Sequence, residues 1–352
     1  MFRMTCSALF LFVAALLTAC AAFSSSTAPV PPSPAMPTTP PLPGGENSAP
    51  PGGLRLAAFF PWVIVDGDYN NLGYVALLAL QRQFQTDVTY LQSVDPADLH
   101  VLMDAMAADG YTVLWAHGSQ FLAAALDYAR QNPELYVIVE NEGDIPDLPP
   151  NVWVIDRNFH EGFYVLGALA ARASQTGKIG YLGGIRLPFS YIEAHAIEQA
   201  VADFGGETEF QAVWTGDLND ADAARRAADR LIAADVDVLL GSLNQGVFGV
   251  LEAARAKEGR VLVISKYSDK SSYAPEQSLT SLLYDFSIPL AAIFQRIESG
   301  ETGGVYRMAL GNGISLTPLH NVDPALQAEI EAIIAGVQSG EVKVRQNSTP
   351  YP

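Results

Sequence analysis

Cysteine is nearly absent from this sequence, and the positions of the two that exist exclude several kinds of site. The 352 residues contain only Cys6 and Cys20. Cys6 lies in an apolar N-terminal stretch typical of a secretory leader, so Cys20 is the only cysteine expected in the mature chain. A chain with one cysteine can form neither an internal disulfide nor a cysteine-based metal site.

Basic residues are also scarce. The chain has 20 Lys and Arg against 38 Asp and Glu, which gives a formal net charge of −18 at pH 7. Nucleic acids and anionic lipid surfaces would repel a chain of that charge. The composition therefore argues against a nucleic-acid partner and against a polybasic membrane contact.

The sequence lacks the common catalytic motifs. It has no GxGxxG, Walker loop, nucleophile elbow or HExxH, and its five histidines form no pair at helical ligand spacing. We therefore predict no enzymatic activity, no cofactor and no metal. A hydrolase that uses Asp66 or Asp269 as general base stays open as an alternative of a different class.

The N-terminus has the features of an export signal. Arg3 precedes an apolar run from Leu9 to Leu17, and Leu17-Thr18-Ala19-Cys20 supplies small residues at a cleavage site. The run is too short to span a bilayer, so residues 1–19 are predicted to be a signal peptide. A cysteine at this place resembles the bacterial lipobox. That resemblance implies a lipid on Cys20 and a lipoprotein on the extracytoplasmic face of the cell membrane; an ordinary signal peptide is the alternative.

Residues 20–53 are predicted to be a lipid anchor and a linker. From Ala28 to Gly53 the chain is mostly Pro, Ser, Thr and Gly. Proline fixes φ and removes amide donors, so this segment should be extended and polyproline-like. It is interpreted as a spacer between membrane and folded body, with a ligand for proline-binding domains as the alternative.

From Leu54 onward, short apolar runs alternate with longer helical stretches. Most runs lack polar alternation, which is typical of parallel strands covered on both faces. The expected strands are 54–60 with 63–65, 86–91, 112–115, 136–139, 152–155, 178–182, 209–214, 236–240, 261–264 and 278–283. The regular alternation of strands and helices along the chain predicts βαβ units and an α/β fold of doubly wound sheets.

The chain is predicted to form two such parallel-sheet lobes with a hinge and a cleft between them. The N-terminal lobe would hold residues 54–176 and about 284–303, and the C-terminal lobe 177–277 and about 305–340. The crossovers would be 278–283 and 304, with a tail at 341–352. Ligands of such sheets bind at the carboxyl ends of the strands, and hinge closure buries them.

Polar and aromatic residues follow the predicted strands. Aromatic rings stack on planar ligands, while Asp and Asn side chains form directional hydrogen bonds. The loops therefore predict a cleft for a small planar polar molecule, although His117 also fits a structural role. The predicted ligand-binding residues are Asp66, Tyr69, Asn70, Tyr74, His117, Phe121, Phe189, Tyr191, Asn244, Tyr267, Asp269 and Tyr284.

Four motifs occur in an order that resembles the basic membrane protein family, the nucleoside-binding lipoproteins of ABC importers. The family's early Asp-x-Ser-Phe-Asn-Gln-x-x-Tyr-Glu-Gly stretch is similar to the loop at 66–76. The other three matching segments are 161–171, 178–184 and 246–254. The likeness runs from about Leu54 to Leu316.

The resemblance implies a type I periplasmic-binding-protein fold and a monomeric solute-binding protein with ABC permease and ATPase partners. Two cleft positions depart from the family pattern: Tyr267 replaces an acid, and Tyr284 replaces a lysine. An acid expected near 122–125 is also missing. These departures favour a related heterocycle, such as a nucleobase derivative or a flavin-like ring, over a purine nucleoside. A sensor that reports the same ligand to a membrane receptor is the alternative role.

Overall fold

Two β-sheets form the framework of residues 53–257 and 259–352, the part of the chain that the computed structural model describes. The predicted signal peptide, Cys20 and nearly all of the predicted linker lie outside these residues. Within the described ranges, no helix is both long enough and apolar enough to cross a membrane.

The strands and helices alternate along most of the chain. The strands are β1 (Arg55–Phe59), β2 (Asp87–Leu91), β3 (Val113–Ala116), β4 (Tyr136–Asn141), β5 (Val152–Asp156), β6 (Lys178–Gly183), β7 (Glu209–Trp214), β8 (Val238–Ser242), β9 (Leu262–Tyr267), β10 (Ser278–Tyr284), β11 (Gly304–Arg307), β12 (Ala309–Leu310) and β13 (Gly313–Leu316). The α-helices are α1 (Tyr69–Phe84), α2 (Leu99–Ala108), α3 (Leu122–Gln131), α4 (Phe159–Ala173), α5 (Pro188–Phe204), α6 (Ala221–Ala233), α7 (Val247–Ala256), α8 (Ser287–Glu298) and α9 (Pro324–Ser339).

The first sheet is entirely parallel, in the order β11-β5-β4-β3-β1-β2. Its central strands are apolar on both faces: every residue of β3 is buried. Helices cover both sides of such a sheet, and this is why the strand sequences lack polar alternation.

The second sheet has the order β12-β13-β10-β9-β8-β6-β7. Its strands are parallel except where β13 runs antiparallel to β10. Strand β8 is wholly buried, like β3 in the first sheet. Residues 63–65, predicted to extend the first strand, form turns and no strand.

Two helices of this chain begin as their sequences predict. The Asp220 carboxylate accepts the Ala223 amide at 2.8 Å before α6. Asp323 accepts the Leu326 amide at 2.8 Å, and a proline follows it as the first residue of α9. Both aspartates satisfy helix amides that would otherwise lack a partner.

Helix α4 belongs to the second lobe, so the predicted lobe boundary at 176/177 is wrong. The helix packs against α5, α9 and β8, and all of its residues except Glu161 and Arg172 are buried. A Cβ at Gly167 would come within 2.9 Å of the Ile197 Cα, so this glycine allows α4 and α5 to pack closely. The chain therefore crosses between lobes at residues 157–158, just after β5.

The later crossovers also lie elsewhere than predicted. Strand β10, expected to be a crossover, is a full strand of the second sheet. Strand β11 pairs with β5 at the edge of the first sheet, so the return at 304 comes after residue 307 instead. Strand β11 is a four-residue edge strand, and so few residues do not reveal by pattern which sheet they join. The chain thus crosses three times, and the carboxyl ends of both sets of parallel strands meet at one cleft.

Candidate functional site

A cavity of about 140 Å³ lies in this cleft, at the carboxyl ends of the strands. Aromatic and amide-bearing residues of both lobes surround it. The lining residues are Pro61, Trp62, Tyr69, Asn70, Ser119, Gln120, Arg157, Ile185, Phe189, Leu218, Asn219, Asn244 and Tyr267. A larger cavity of about 470 Å³ lies beside α9, but its polar lining includes exposed Gln327 and Glu331 and no buried charge.

Arg157 is the one charged residue among the described residues that line the cavity. Two buried carboxylates contact its guanidinium group. Its Nη2 forms an ion pair with Glu142, and its Nη1 lies 3.5 Å from Glu140. Nη1 also donates to the Tyr69 hydroxyl at 2.9 Å, and that hydroxyl donates to Glu140. All four side chains are at least nine-tenths buried, so the network holds the Tyr69 ring in one position.

His117 supports the same ring from the other side. Its Nδ1 lies 2.5 Å from a Glu140 oxygen, and its Nε2 lies 2.9 Å from the Tyr69 carbonyl oxygen. Both ring nitrogens thus lie within hydrogen-bond distance of an oxygen. The His117 and Tyr69 rings stack with centroids 4.1 Å apart. His117 is therefore a buried positioning residue behind the cavity.

Burial and pairing act in opposite directions on the two carboxylates. Burial favours the neutral form of Glu140, but His117 and Arg157 outweigh it, so the pKa lies below the ordinary value. For Glu142, burial outweighs the attraction of Arg157 and raises the pKa. Glu140 is therefore the more readily ionised of the two carboxylates.

A second buried ion pair lies under the aromatic part of the cavity. Lys266 pairs with Glu193, and both side chains are fully buried. Glu193 also accepts the Tyr181 hydroxyl at 2.7 Å, and the Lys266 Nζ lies 3.8 Å from the centroid of the Phe159 ring. Burial lowers the pKa of Lys266 to about 8, against the opposing effect of Glu193. The lysine charge is thus directed to the protein and away from the cavity.

Contacts between the lobes hold the cleft closed beside the cavity. Lys270 of the second lobe lies 2.5 Å from an oxygen of Asp68, which precedes α1 in the first lobe. Ser268 donates to the same oxygen at 2.7 Å, and Gln245 donates to the Asp66 carbonyl oxygen. Burial raises the pKa of Asp68 to about 6, although Lys270 and Ser268 oppose the shift. We name the Asp68–Ser268–Lys270 group the interlobe latch.

Five of the twelve predicted binding residues line the cavity: Tyr69, Asn70, Phe189, Asn244 and Tyr267. They come from both lobes, as the strand-end argument predicts. The Asn70 Nδ2 donates to Asp66 at 2.6 Å, which leaves its carbonyl oxygen buried and without a hydrogen bond. The Asn244 Oδ1 is also buried and unpaired.

Three more predicted residues lie behind the lining. Asp66 accepts the backbone amides of Asp68, Asn70 and Asn71 at 2.9–3.1 Å, so it fixes the start of α1. His117 supports Tyr69 as described above. Tyr284 is buried against Phe159, with ring centroids 4.7 Å apart. Their roles are to position the residues in front of them.

Four predicted residues lie away from the cavity. Tyr74 packs against Tyr90, and Phe121 is buried in the core on the outer side of the first sheet. Tyr191 packs against Trp214. The Asp269 carboxylate accepts the backbone amide of Ser271 at 2.8 Å in an exposed loop. In each case a helix or turn directs the side chain away from the cleft, and a loop sequence does not reveal that direction.

The prediction missed eight of the thirteen lining residues, among them Trp62, Gln120, Arg157 and Asn219. Arg157 directly follows the apolar run of β5, so the signal that selected the other loops also applied to it. The next residue, Asn158, precedes α4 with left-handed backbone angles and no side-chain capping hydrogen bond. Asn219 lies in the loop before α6. Among the described residues, no group of three metal-ligating side chains could hold an ion.

Comparisons with known proteins agree with this architecture. The family described as ABC transporter substrate-binding protein PnrA-like matches residues 54–344. Basic membrane protein A2 of Borrelia garinii subsp. bavariensis is 23% identical over 321 residues, covering 87% of this chain and 93% of that protein.

Solved structures give the same fold. An ABC transporter solute-binding protein from Conexibacter woesei has a TM-score of 0.67 at 23% identity, covering 84% of this chain and 99% of that one. Another from Aeropyrum pernix has a TM-score of 0.70 at 16% identity, covering 84% and 94%. The predicted α/β fold of the periplasmic-binding type is confirmed. The chain belongs to the PnrA-like, or basic membrane protein, family of ABC transporter substrate-binding proteins.

Proposed function

We propose that this substrate-binding protein captures a small planar polar heterocycle, a nucleoside or a related ring, in the 140 Å³ cavity. The observation that carries the proposal is the set of unpaired polar atoms in the lining. The Oδ1 atoms of Asn70, Asn219 and Asn244 are buried and have no hydrogen-bond partner among the described residues. Buried polar atoms of folded proteins are normally paired, so three that converge on a cavity favour a ligand that pairs with them.

Aromatic side chains supply the rest of the proposed site. Tyr69 comes from the first lobe, and Phe189 and Tyr267 come from the second. The centroids of the Tyr69 and Tyr267 rings lie 5.5 Å apart across the cleft. A ring bound beside them would bury apolar surface against both lobes and so favour closure.

No covalent step is part of this proposal. The buried acids and bases pair with one another: Glu140 with His117 and Arg157, and Lys266 with Glu193. None of these pairs includes a free nucleophile or general base directed into the cavity. The proposed role is therefore binding and delivery to an ABC permease and its ATPase, with the protein acting as a monomer.

Isothermal titration with a panel of nucleosides and free heterocyclic bases tests this role. We expect 1:1 binding of at least one panel member to the wild-type protein. The Asn244→Leu variant should bind it about tenfold more weakly, because a lost buried hydrogen bond costs about 1–1.5 kcal/mol. The matched control is Gln83→Leu, which changes an exposed amide on α1 and should bind like the wild type.

Two outcomes would count against the proposed site. If no panel member binds the wild-type protein, the heterocycle proposal fails. If Asn244→Leu keeps wild-type affinity for a bound compound, the site lies elsewhere. Thermal unfolding of each variant shows that the comparison is made on folded protein.

We also propose that a lipid on Cys20 anchors the protein to the extracytoplasmic face of the membrane. The support is the sequence Leu17-Thr18-Ala19-Cys20 after an apolar run, together with the relatives named basic membrane proteins. The proline-rich stretch that follows would hold the folded body away from the lipid surface. The chain as a whole has an excess of acidic residues, so anionic headgroups would repel the folded body and keep it away from the lipid surface.

Cell fractionation with a labelled fatty acid tests the anchor, and the chain provides its own control. Cys20→Ser should move the protein out of the membrane fraction and abolish label incorporation. Cys6→Ser should change neither, because that residue lies within the predicted leader. Persistent label on Cys20→Ser would refute the anchor.

A further inference from the structure

The charges around the cavity are paired within the protein. Three buried carboxylates, Glu140, Glu142 and Glu193, contact the nitrogen groups of His117, Arg157 and Lys266. Among the residues that the structure describes, no aspartate, glutamate or lysine lines the cavity. A charged ligand would lose its hydration and find no free opposite charge. This arrangement favours an uncharged ligand.

The polar groups that do face the cavity are mostly amides. Asn70 lies in the first turn of α1, and Asn219 and Asn244 lie in two loops of the second lobe. Each has a buried carbonyl oxygen without a hydrogen bond to any described residue. An asparagine side chain carries donor and acceptor side by side in one plane. Asn219 and Asn244 therefore pair best with a ligand edge in which an N–H and a carbonyl are adjacent. Asn70, whose Nδ2 donates to Asp66, offers its carbonyl oxygen to a ligand N–H.

Arg157 adds a donor to this set. Its two terminal nitrogens contact Tyr69 and Glu142, but its Nε is buried and has no hydrogen-bond partner among the described residues. An N–H that cannot be deprotonated demands an acceptor. A carbonyl oxygen on the ligand meets that demand without adding charge.

The cavity volume limits the ligand further. The cavity measures about 140 Å³. Pockets for drug-sized ligands are larger, at roughly 300–1,000 Å³. A single or fused ring matches the smaller volume better than a ring that carries a sugar.

We propose that the ligand is an uncharged oxo-heterocycle with cyclic amide edges and no attached sugar, of the xanthine or uracil kind. The three asparagines pair with its N–H and carbonyl groups, and Arg157 Nε donates to one carbonyl. The aromatic side chains of Tyr69, Phe189 and Tyr267 cover its faces and rim. This inference rests on the proposed heterocycle-binding function and narrows it to one chemical class.

Isothermal titration of the full-length protein with three compounds tests the inference. The compounds are xanthine, its riboside xanthosine, and adenine, which lacks a carbonyl. The buffer is acidic enough to keep xanthosine, the stronger acid of the two oxopurines, mostly uncharged. We expect xanthine to bind at least tenfold more tightly than either of the others. The Asn219→Leu variant should lose most of the preference for xanthine over adenine, while Gln83→Leu should keep it.

The outcomes separate this inference from the proposed function. If xanthosine or adenine binds as tightly as xanthine, the class is wrong while heterocycle binding stands. If none of the three binds but another nucleoside does, the class is again wrong and the function stands. If no heterocycle or nucleoside binds at all, both fail. An Asn219→Leu variant that folds normally and keeps the full preference would also overturn the assignment.

Discussion

At the residue scale, His160 couples the stability of the fold to pH. It is buried at the start of α4, and its Nδ1 has no hydrogen-bond partner among the described residues. Burial and the nearby charge of Arg307 lower its pKa from 6.5 to about 4. The folded protein therefore keeps this ring neutral at pH values where the unfolded chain protonates it. The unfolded state then binds more protons, so the free energy of unfolding falls as the pH drops below about 6.5.

Replacing His160 should remove its contribution to the pH dependence of the free energy of unfolding. Between pH 7 and pH 5 the His160 contribution should fall by about 2 kcal/mol, from a shift worth about 1.4 kcal/mol per unit. Urea unfolding of His160→Gln should show a correspondingly flatter pH profile than the wild type. His320→Gln, which alters a histidine away from this site, is the control. Parallel profiles for wild type and His160→Gln would contradict the account.

Individual cavity-lining residues were predictable where they lie at or just after the end of a strand. Asn244 and Tyr267 follow that pattern. Phe121 and Tyr74 also come after strands, yet Phe121 is buried in the core and Tyr74 packs against Tyr90, because the helical turns that carry them direct both side chains away from the cleft. Single-sequence patterns do not determine that rotation, which depends on the packing of the whole lobe.

At the element scale, the interlobe latch connects the start of α1 to the loop after β9. Asp68 is fully buried and Lys270 is 6% exposed, so the pair exists only when the lobes are together. Removing one partner of a buried pair leaves an uncompensated charge, which typically costs about 3–5 kcal/mol. That cost applies to the closed state, because an open cleft returns both side chains to water.

The Lys270→Met variant should therefore shift the protein toward an open form. Small-angle X-ray scattering of this variant should give a larger radius of gyration than the wild type under the same conditions. Lys257→Met, on the exposed end of α7, should scatter like the wild type. Equal radii for wild type and Lys270→Met would mean that the latch does not control closure.

The sequence predicted the type of most elements but not their assignment to lobes. Apolar runs indicated the parallel strands of both sheets. Helix α4 and strand β11 follow turns that resemble simple loop boundaries, and their lobes depend on contacts with α5, α9 and β5. Such long-range contacts leave no trace in the local sequence, because a helix that is buried on all sides has the same apolar pattern in either lobe.

At the scale of the whole molecule, three chain crossings join two lobes whose strand ends face one cavity. The architecture permits hinge closure, and the buried ion pairs of Arg157 and Lys266 lie on the same side of the fold as the interlobe latch. The family assignment and the position of the cavity agree, since ligands of open α/β sheets bind at the carboxyl ends of strands. The central claim is that one small molecule contacts both lobes at once.

Hydrogen–deuterium exchange of the full-length protein, with and without a small-molecule extract of its host cells, tests that claim most directly. We predict slower exchange in loops of both lobes together, at residues 60–70 of the first and at 184–190, 217–220 and 243–246 of the second. Dialysis should reverse the protection, and Asn244→Leu should reduce it. Protection confined to one lobe, or no protection by any extract fraction, would contradict binding between the lobes.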